Sequence, residues 1–161
     1  MKIEIIANRE ESDAGLVLAA LGPEDPLVSF RFCVERGKKT EIGWHDVVAA
    51  DGALPLGGRW MQWHYDCFSA PIGFDTLAFN DAGVQAIRRG RSLGVQFHPE
   101  TNEATVTRWM EGDGAAELAA VGLSPQKLLD ETRLEVLRTE GATRELVRWF
   151  LETVAQSPVL A

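Results

Sequence analysis

Hydrophobic positions along this chain change period part-way. Residues 2 to 7 alternate loosely and predict a strand, and Ala14, Leu18 and Leu21 recur at helical spacing until Gly22-Pro23 stops the run. Leu27 to Val34 predicts a second strand. Lys38-Lys39-Thr40 reads as a turn, after which Ile42 to Val48 is extended into the Asp51-Gly52 turn. Short strand-like runs follow at Trp60 to His64, Asp75 to Asn80, Val84 to Arg88 and Ser92 to Phe97, a pattern that fits a mixed or antiparallel stretch of sheet. From Asn102 onward the spacing is helical. Ser124 is a cap and Pro125 the first position of a helix predicted through about Thr139; Gly141 separates it from another whose apolar stripe is Val147, Phe150, Leu151 and Val154. Strands followed by helices predict an α/β domain. A doubly wound sheet alternates throughout, whereas the first third of this chain holds at most one crossover helix.

Composition narrows the class. A length of 161 residues fits one domain, and 45% hydrophobic residues, 25% charge and five tryptophans describe a globular protein. Sixteen basic against 24 acidic residues give a net charge of -8, which disfavours a nucleic acid or an anionic membrane as partner. The basic patch at Arg88, Arg89 and Arg91 reads as a solvated turn. Two cysteines without C-x-x-C spacing point to neither a disulfide scaffold nor a structural zinc, so a cytoplasmic setting is expected. The apolar start turns polar by Asn8, too early for a signal peptide or a membrane span.

Candidate chemistry concentrates in Gly94-Val95-Gln96-Phe97-His98-Pro99-Glu100. A histidine used as a general base needs its far ring nitrogen held by an acceptor, and an i, i+2 spacing on extended chain puts His98 and Glu100 on one face. The thiol candidates are Cys33 and Cys67, and neither has the flanking glycines of a nucleophile elbow. His64, Asp66 and His45 suffice chemically for a metal, but their spacing does not support a site, and no cofactor is expected. Trp44, Trp60 and Trp63 suit a sheet core or a subunit interface. Gly57-Gly58 lacks a following lysine and reads as a turn, not a phosphate loop.

Four blocks carry a family resemblance: Glu41-Ile42-Gly43-Trp44, Trp63-His64-Tyr65-Asp66-Cys67-Phe68, Gln85-Ala86-Ile87-Arg88 and the Gly94 to Glu100 run. In this order they resemble the class I glutamine amidotransferases, specifically the GMP-synthase-like bacterial group, and the likeness continues through Arg108-Trp109, Glu117-Leu118 and Val147-Arg148-Trp149-Phe150. The resemblance implies a single domain over 1–161: a partial or remodelled flavodoxin-like layered α/β fold, shortened over 1–37 and helical over 102–156. Such enzymes hydrolyse the side-chain amide of glutamine and pass ammonia to an acceptor. His98 and Glu100 match the family's histidine and glutamate, while His64, Tyr65 and Asp66 fall in a segment that helps to bind glutamine. Cys67, in the same segment, is either a relocated nucleophile or a pocket wall. Cys33 lies eight residues before Glu41, leaving no space for the helix that follows the family's elbow. The expectation is therefore an amidotransferase homologue that is inactive as an isolated chain. The alternative is a non-enzymatic ligand-binding or scaffold subunit with a pocket bounded by Trp63, His64, Tyr65 and His98. Expected partners are glutamine or a related small molecule, and a second copy (a homodimer) or another chain completing the fold.

Overall fold

A computed structural model describes residues 34–52, 54–70 and 72–156. The strand at 2 to 7, the helix around Ala14 to Leu21, most of the strand from Leu27, and Cys33 lie outside the described residues. Five strands follow one another, β1 (Val34–Ala49), β2 (Gly58–Phe68), β3 (Asp75–Asn80), β4 (Gly83–Arg89) and β5 (Ser92–Val95), and form one sheet in the order β2-β1-β3-β4-β5. Every pairing among the described residues is antiparallel. This matches the mixed or antiparallel stretch expected for the central runs: short turns such as Asp81-Ala82 return β4 and β5 beside their predecessors, and only a long crossover would make a neighbour parallel.

The sheet curls because β1 serves two partners. It pairs with β2 from Val34 to Val47 and then, at Val48 and Ala49, passes to Phe79 and Ala78 of β3. The turn expected at Lys38-Lys39-Thr40 is instead an irregularity within β1, where the register against β2 shifts between Arg36 and Glu41. Gly37 makes room for it, since a Cβ there would stand 3.0 Å from the Tyr65 carbonyl oxygen.

Three helices follow: α1 (Glu103–Trp109), α2 (Gly114–Ala120) and α3 (Pro125–Trp149), the last widening into a π-helical turn at Phe150–Val154. The Ser124 cap is the one read from sequence, and the structure adds a second at Asn102. Ser124 Oγ accepts from the Lys127 amide at 3.2 Å with Pro125 in the first turn, and Asn102 Oδ1 accepts from the Thr105 amide at 2.9 Å. The break expected at Gly141 is absent, and α3 runs through it. Buried Thr139, Thr143, Leu146 and Val147 lie on both sides of that glycine, and their packing outweighs its helix penalty of roughly 1 kcal/mol.

Period-two alternation along β2 divides the interior. Met61, with partly buried Trp63 and Tyr65, packs with Ile42 and Trp44 against Val106, Leu118 and Leu128 of the three helices. Trp60 joins the other cluster, with Val47, Leu56, Ala78, Ala86, Phe97 and Leu146. There the Trp60 and Phe97 rings stack at 4.7 Å. No helix among the described residues is long and apolar enough to cross a membrane.

Candidate active site

The segment after β5 is held from two sides. The Gln96 amide donates to the Gln85 carbonyl at 2.8 Å, and the His98 amide donates to the Met61 carbonyl at 2.9 Å. His98 thus stands at a strand end, tied to the middle of β2. The chain then turns, with Thr101 Oγ1 donating to the His98 carbonyl at 2.9 Å and Thr143 Oγ1 of α3 donating to the Pro99 carbonyl at 2.7 Å. That turn swings Glu100 back beneath the imidazole.

His98 Nδ1 lies 2.6 Å from Glu100 Oε1, with the carboxylate side chain 8% and the imidazole 20% exposed. An Nδ1–H donated to a buried carboxylate leaves the lone pair on Nε2, the tautomer a general base requires. No described residue bonds that nitrogen. Trp109, the last residue of α1, meets the imidazole at 4.6 Å with an interplanar angle of 62°, and Trp63 meets Trp109 at 5.8 Å in turn. Trp63 Nε1 donates to Glu117 Oε2 of α2 at 2.6 Å. Gly114 lets α2 start this close, because a Cβ there would fall 1.9 Å from the Trp109 carbonyl oxygen. The dyad therefore has a rigid aromatic wall drawn from β2 and the first two helices. Trp109 and Glu117 fall in blocks of the family likeness while no local motif marks Thr101 and Thr143, and the supporting roles of all four exist only once the helices are docked.

Beside this wall, within the sheet, lies a buried polar network. The Ala82 and Gly83 amides donate to Asn80 Oδ1 at 2.9 and 3.3 Å, which turns Asn80 Nδ2 toward both Glu41 oxygens at 3.0 Å. Gln85 Nε2 donates to Asn80 Oδ1 and Glu41 Oε2, so its own oxygen accepts from Gln62 Nε2 at 2.9 Å. Gln62 Oε1 is left to accept from His64 Nε2 at 3.1 Å, with Glu41 Oε2 3.3 Å away, while His64 Nδ1 faces the Asp66 carbonyl at 3.0 Å. Burial alone would raise the Glu41 carboxyl. Hydrogen bonds from His64 and Asn80, with the charges of His45 and His64, outweigh that effect and hold it below its ordinary value.

These positions separate the residues expected to bind substrate. His64 is 3% exposed and committed to the network, on the face of β2 opposite Trp63 and Tyr65, so a pocket bounded by Trp63, His64, Tyr65 and His98 does not form. Tyr65 packs in the Met61 cluster and the Asp66 side chain faces solvent. Cys67 is half-buried beside Gly83. It lies six strand positions beyond Met61, roughly 20 Å along β2 from the bond that anchors His98, and so outside its hydrogen-bonding reach. No cysteine among the described residues meets the dyad. His45 joins Glu41 at 3.4 Å, yet no group of three ligands among the described residues could hold a metal ion.

Neither a family model nor a curated protein sequence matches the chain. Solved structures do. A glutamine amidotransferase from Thermotoga maritima superposes with a TM-score of 0.65 at 29% identity, covering 74% of this chain and 55% of its own. A glutamine amidotransferase from Methylobacillus flagellatus gives 0.63 at 18% identity, covering 79% and 57%. The chain is a distant structural homologue of the class I glutamine amidotransferase fold. Its α/β architecture, a curled antiparallel sheet with C-terminal helices, resembles that of the class I amidotransferases. The chain spans little more than half the length of the structures it matches.

Proposed function

We propose that this chain carries the histidine-glutamate side of a glutaminase site, and that it releases ammonia from glutamine only when a thiol from outside the described residues, on a partner chain for example, is brought to His98. The observation that carries this reading is the 2.6 Å bond from His98 Nδ1 to buried Glu100, just beyond the end of a strand and with Nε2 bonded by no described residue. In such a site Nε2 takes the thiol proton. The thiolate attacks the side-chain carbonyl carbon of glutamine, the tetrahedral adduct collapses as His98 returns the proton to the departing ammonia, and water cleaves the resulting thioester to glutamate and free thiol. Nothing in this sequence needs a metal or a redox partner.

The purified chain incubated with glutamine should release no ammonia above background. Robust release that His98→Ala abolishes would overturn the inactivity of the isolated chain and place a working thiol within it. A second reading, a non-enzymatic ligand-binding or scaffold subunit, draws on the absence of any described cysteine at His98. The two readings part in a calorimetric titration with glutamine and its thioester analogues. Binding that weakens in His98→Ala favours the catalytic ancestry of the site, and binding indifferent to His98 favours the subunit.

A further inference from the structure

Residues from three of the four family-like blocks, Glu41, His64 and Gln85, meet in the buried polar network, and backbone groups at its two ends set the direction of each hydrogen bond linking them. At one end the Ala82 and Gly83 amides can only donate, which makes Asn80 Oδ1 an acceptor and Asn80 Nδ2 the donor to Glu41. Gln85 Nε2, 3.1 Å from Asn80 Oδ1 and 3.3 Å from Glu41 Oε2, must then donate to both. Gln85 Oε1 accepts from Gln62 Nε2 at 2.9 Å, and Gln62 Oε1 is the atom left facing His64 Nε2 at 3.1 Å. At the other end the Asp66 carbonyl, which can only accept, lies 3.0 Å from His64 Nδ1. Both ring nitrogens of His64 therefore face acceptors, and Glu41 Oε2 adds a third at 3.3 Å from Nε2. A neutral imidazole has one N–H and one lone pair and cannot serve both sides. Flipping amides gives no relief. Each flip turns an oxygen onto the next oxygen until it reaches Asn80, which the two backbone amides hold in place.

We propose that His64 is a buried imidazolium paired with the Glu41 carboxylate, and that its second ring proton keeps this network, and with it the seat of His98, closed. Glu41 fits its half of the pair. Its partners Asn80, Gln85, His64 and His45 are all able to donate to it, and they hold its carboxyl below the ordinary value. The path to His98 is short, since the Gln85 carbonyl accepts from the Gln96 amide at 2.8 Å and the carbonyl of Met61, next to Gln62, accepts from the His98 amide at 2.9 Å. Loss of the proton sets a ring lone pair against the Asp66 carbonyl, or against Gln62 Oε1 and Glu41 Oε2, at a residue 3% exposed. Relief then requires Gln62 and Gln85 to move, and these stand where β2 and β4 hold residues 96–98. The network is thus closed while His64 carries both protons and opens as pH rises far enough to remove one. Among the described residues the titratable groups facing His64 are Glu41 and, behind it, His45, both of β1. From β3 and β4 come Asn80 and Gln85, which do not titrate, and Asp66 of β2 directs its carboxylate to solvent.

Nuclear magnetic resonance of the full chain with ring-nitrogen-labelled histidine tests this, the three rings being assigned through single substitutions. At neutral pH both nitrogens of His64 should bear protons; a bare nitrogen on that ring overturns the proposal. As pH rises, loss of one His64 proton should coincide with a fall of at least about tenfold in the exchange protection factors of the Gln96 and His98 amides. Protection that does not follow His64 overturns the link to His98. The step should persist in His45→Gln and vanish in His64→Gln, and either opposite result assigns it to another group and overturns the proposal. If His64→Gln does not fold, the ring spectra of the native chain still decide. Any bearing on catalysis rests on the role proposed for His98, but none of these readouts involves glutamine, so either reading can fail without the other.

Discussion

Two carboxylates among the described residues face imidazoles, and their surroundings give them different work. Glu100 holds one ring nitrogen of His98 beyond a strand end, where no described residue bonds the other nitrogen. The native protein should show a hydrogen-bonded Nδ1 proton in the imidazole region of the proton NMR spectrum, and Glu100→Ala should leave the fold intact but free the ring, so that this signal is lost. A completed glutaminase site should then lose on the order of 10²- to 10⁴-fold in rate, the usual worth of a positioned base. An unchanged Nδ1 signal would show that the carboxylate does not orient the ring. Glu41, in contrast, is enclosed with His64, Asn80 and Gln85, and half-buried His45 approaches it at 3.4 Å. Its carboxyl is held below its ordinary value of 4.5, so its contribution to stability is fully present above that pH and is lost as pH falls through the lower folded value. Acid unfolding followed by tryptophan fluorescence should show this loss below pH 4.5, and Glu41→Gln should flatten it. Glu41→Ala, which leaves Asn80 Nδ2 without the two oxygens it donates to, should cost roughly 1–3 kcal/mol.

The elements show what a linear pattern carries and what it conceals. The central strands, the Ser124-Pro125 helix start and the His98-Glu100 spacing were legible because alternation, capping chemistry and an i, i+2 pair are local facts. The irregularity at Lys38 to Thr40 was read as a turn because its composition is that of a turn, and only the opposing strand reveals that β1 continues. Much of α3's buried face was hidden for a different reason. Thr132, Thr139 and Thr143 score as polar, yet each buries its hydroxyl by donating to a carbonyl, Leu128 and Glu135 within the helix and Pro99 across it. Gly141 misled in the same way, since it is an ordinary helical position in open space. Gly141→Ala should therefore stabilise the chain by about 0.4–1 kcal/mol in urea unfolding. The same change at Gly114 should do the opposite, because its Cβ would collide with the Trp109 carbonyl and push α2 off the wall behind His98. Equal effects at the two glycines would refute this distinction.

At the scale of the whole molecule, the part of the sheet bearing His98 is joined to the rest by little backbone. Strands β3, β4 and β5 meet β1 only at Val48 and Ala49, whereas β1 and β2 are zipped along most of their length. Side chains and a further backbone bond make up the difference. Asn80 at the end of β3 reaches Glu41 of β1, Gln85 of β4 reaches Gln62 of β2, Phe97 stacks on Trp60, and the His98 amide closes on Met61. None of these pairings was visible in the sequence, because residues 41, 62, 80 and 85 become neighbours only when β1 changes partner. The polar network thus acts as the clasp that fixes the dyad against the aromatic wall, and Asn80 is its pivot, ordered by the Ala82 and Gly83 amides and bonded to both Glu41 oxygens. Asn80→Ala should cost roughly 1–3 kcal/mol, the price of leaving buried acceptors unmatched. The loss should also be uneven. Amide hydrogen exchange should accelerate in β3 to β5 and at His98 while β1 and β2 keep their protection, as expected for a sub-globular opening along the weakly paired seam. A uniform rise in exchange across the sheet would mean that the two parts open together and that the network is not what joins them.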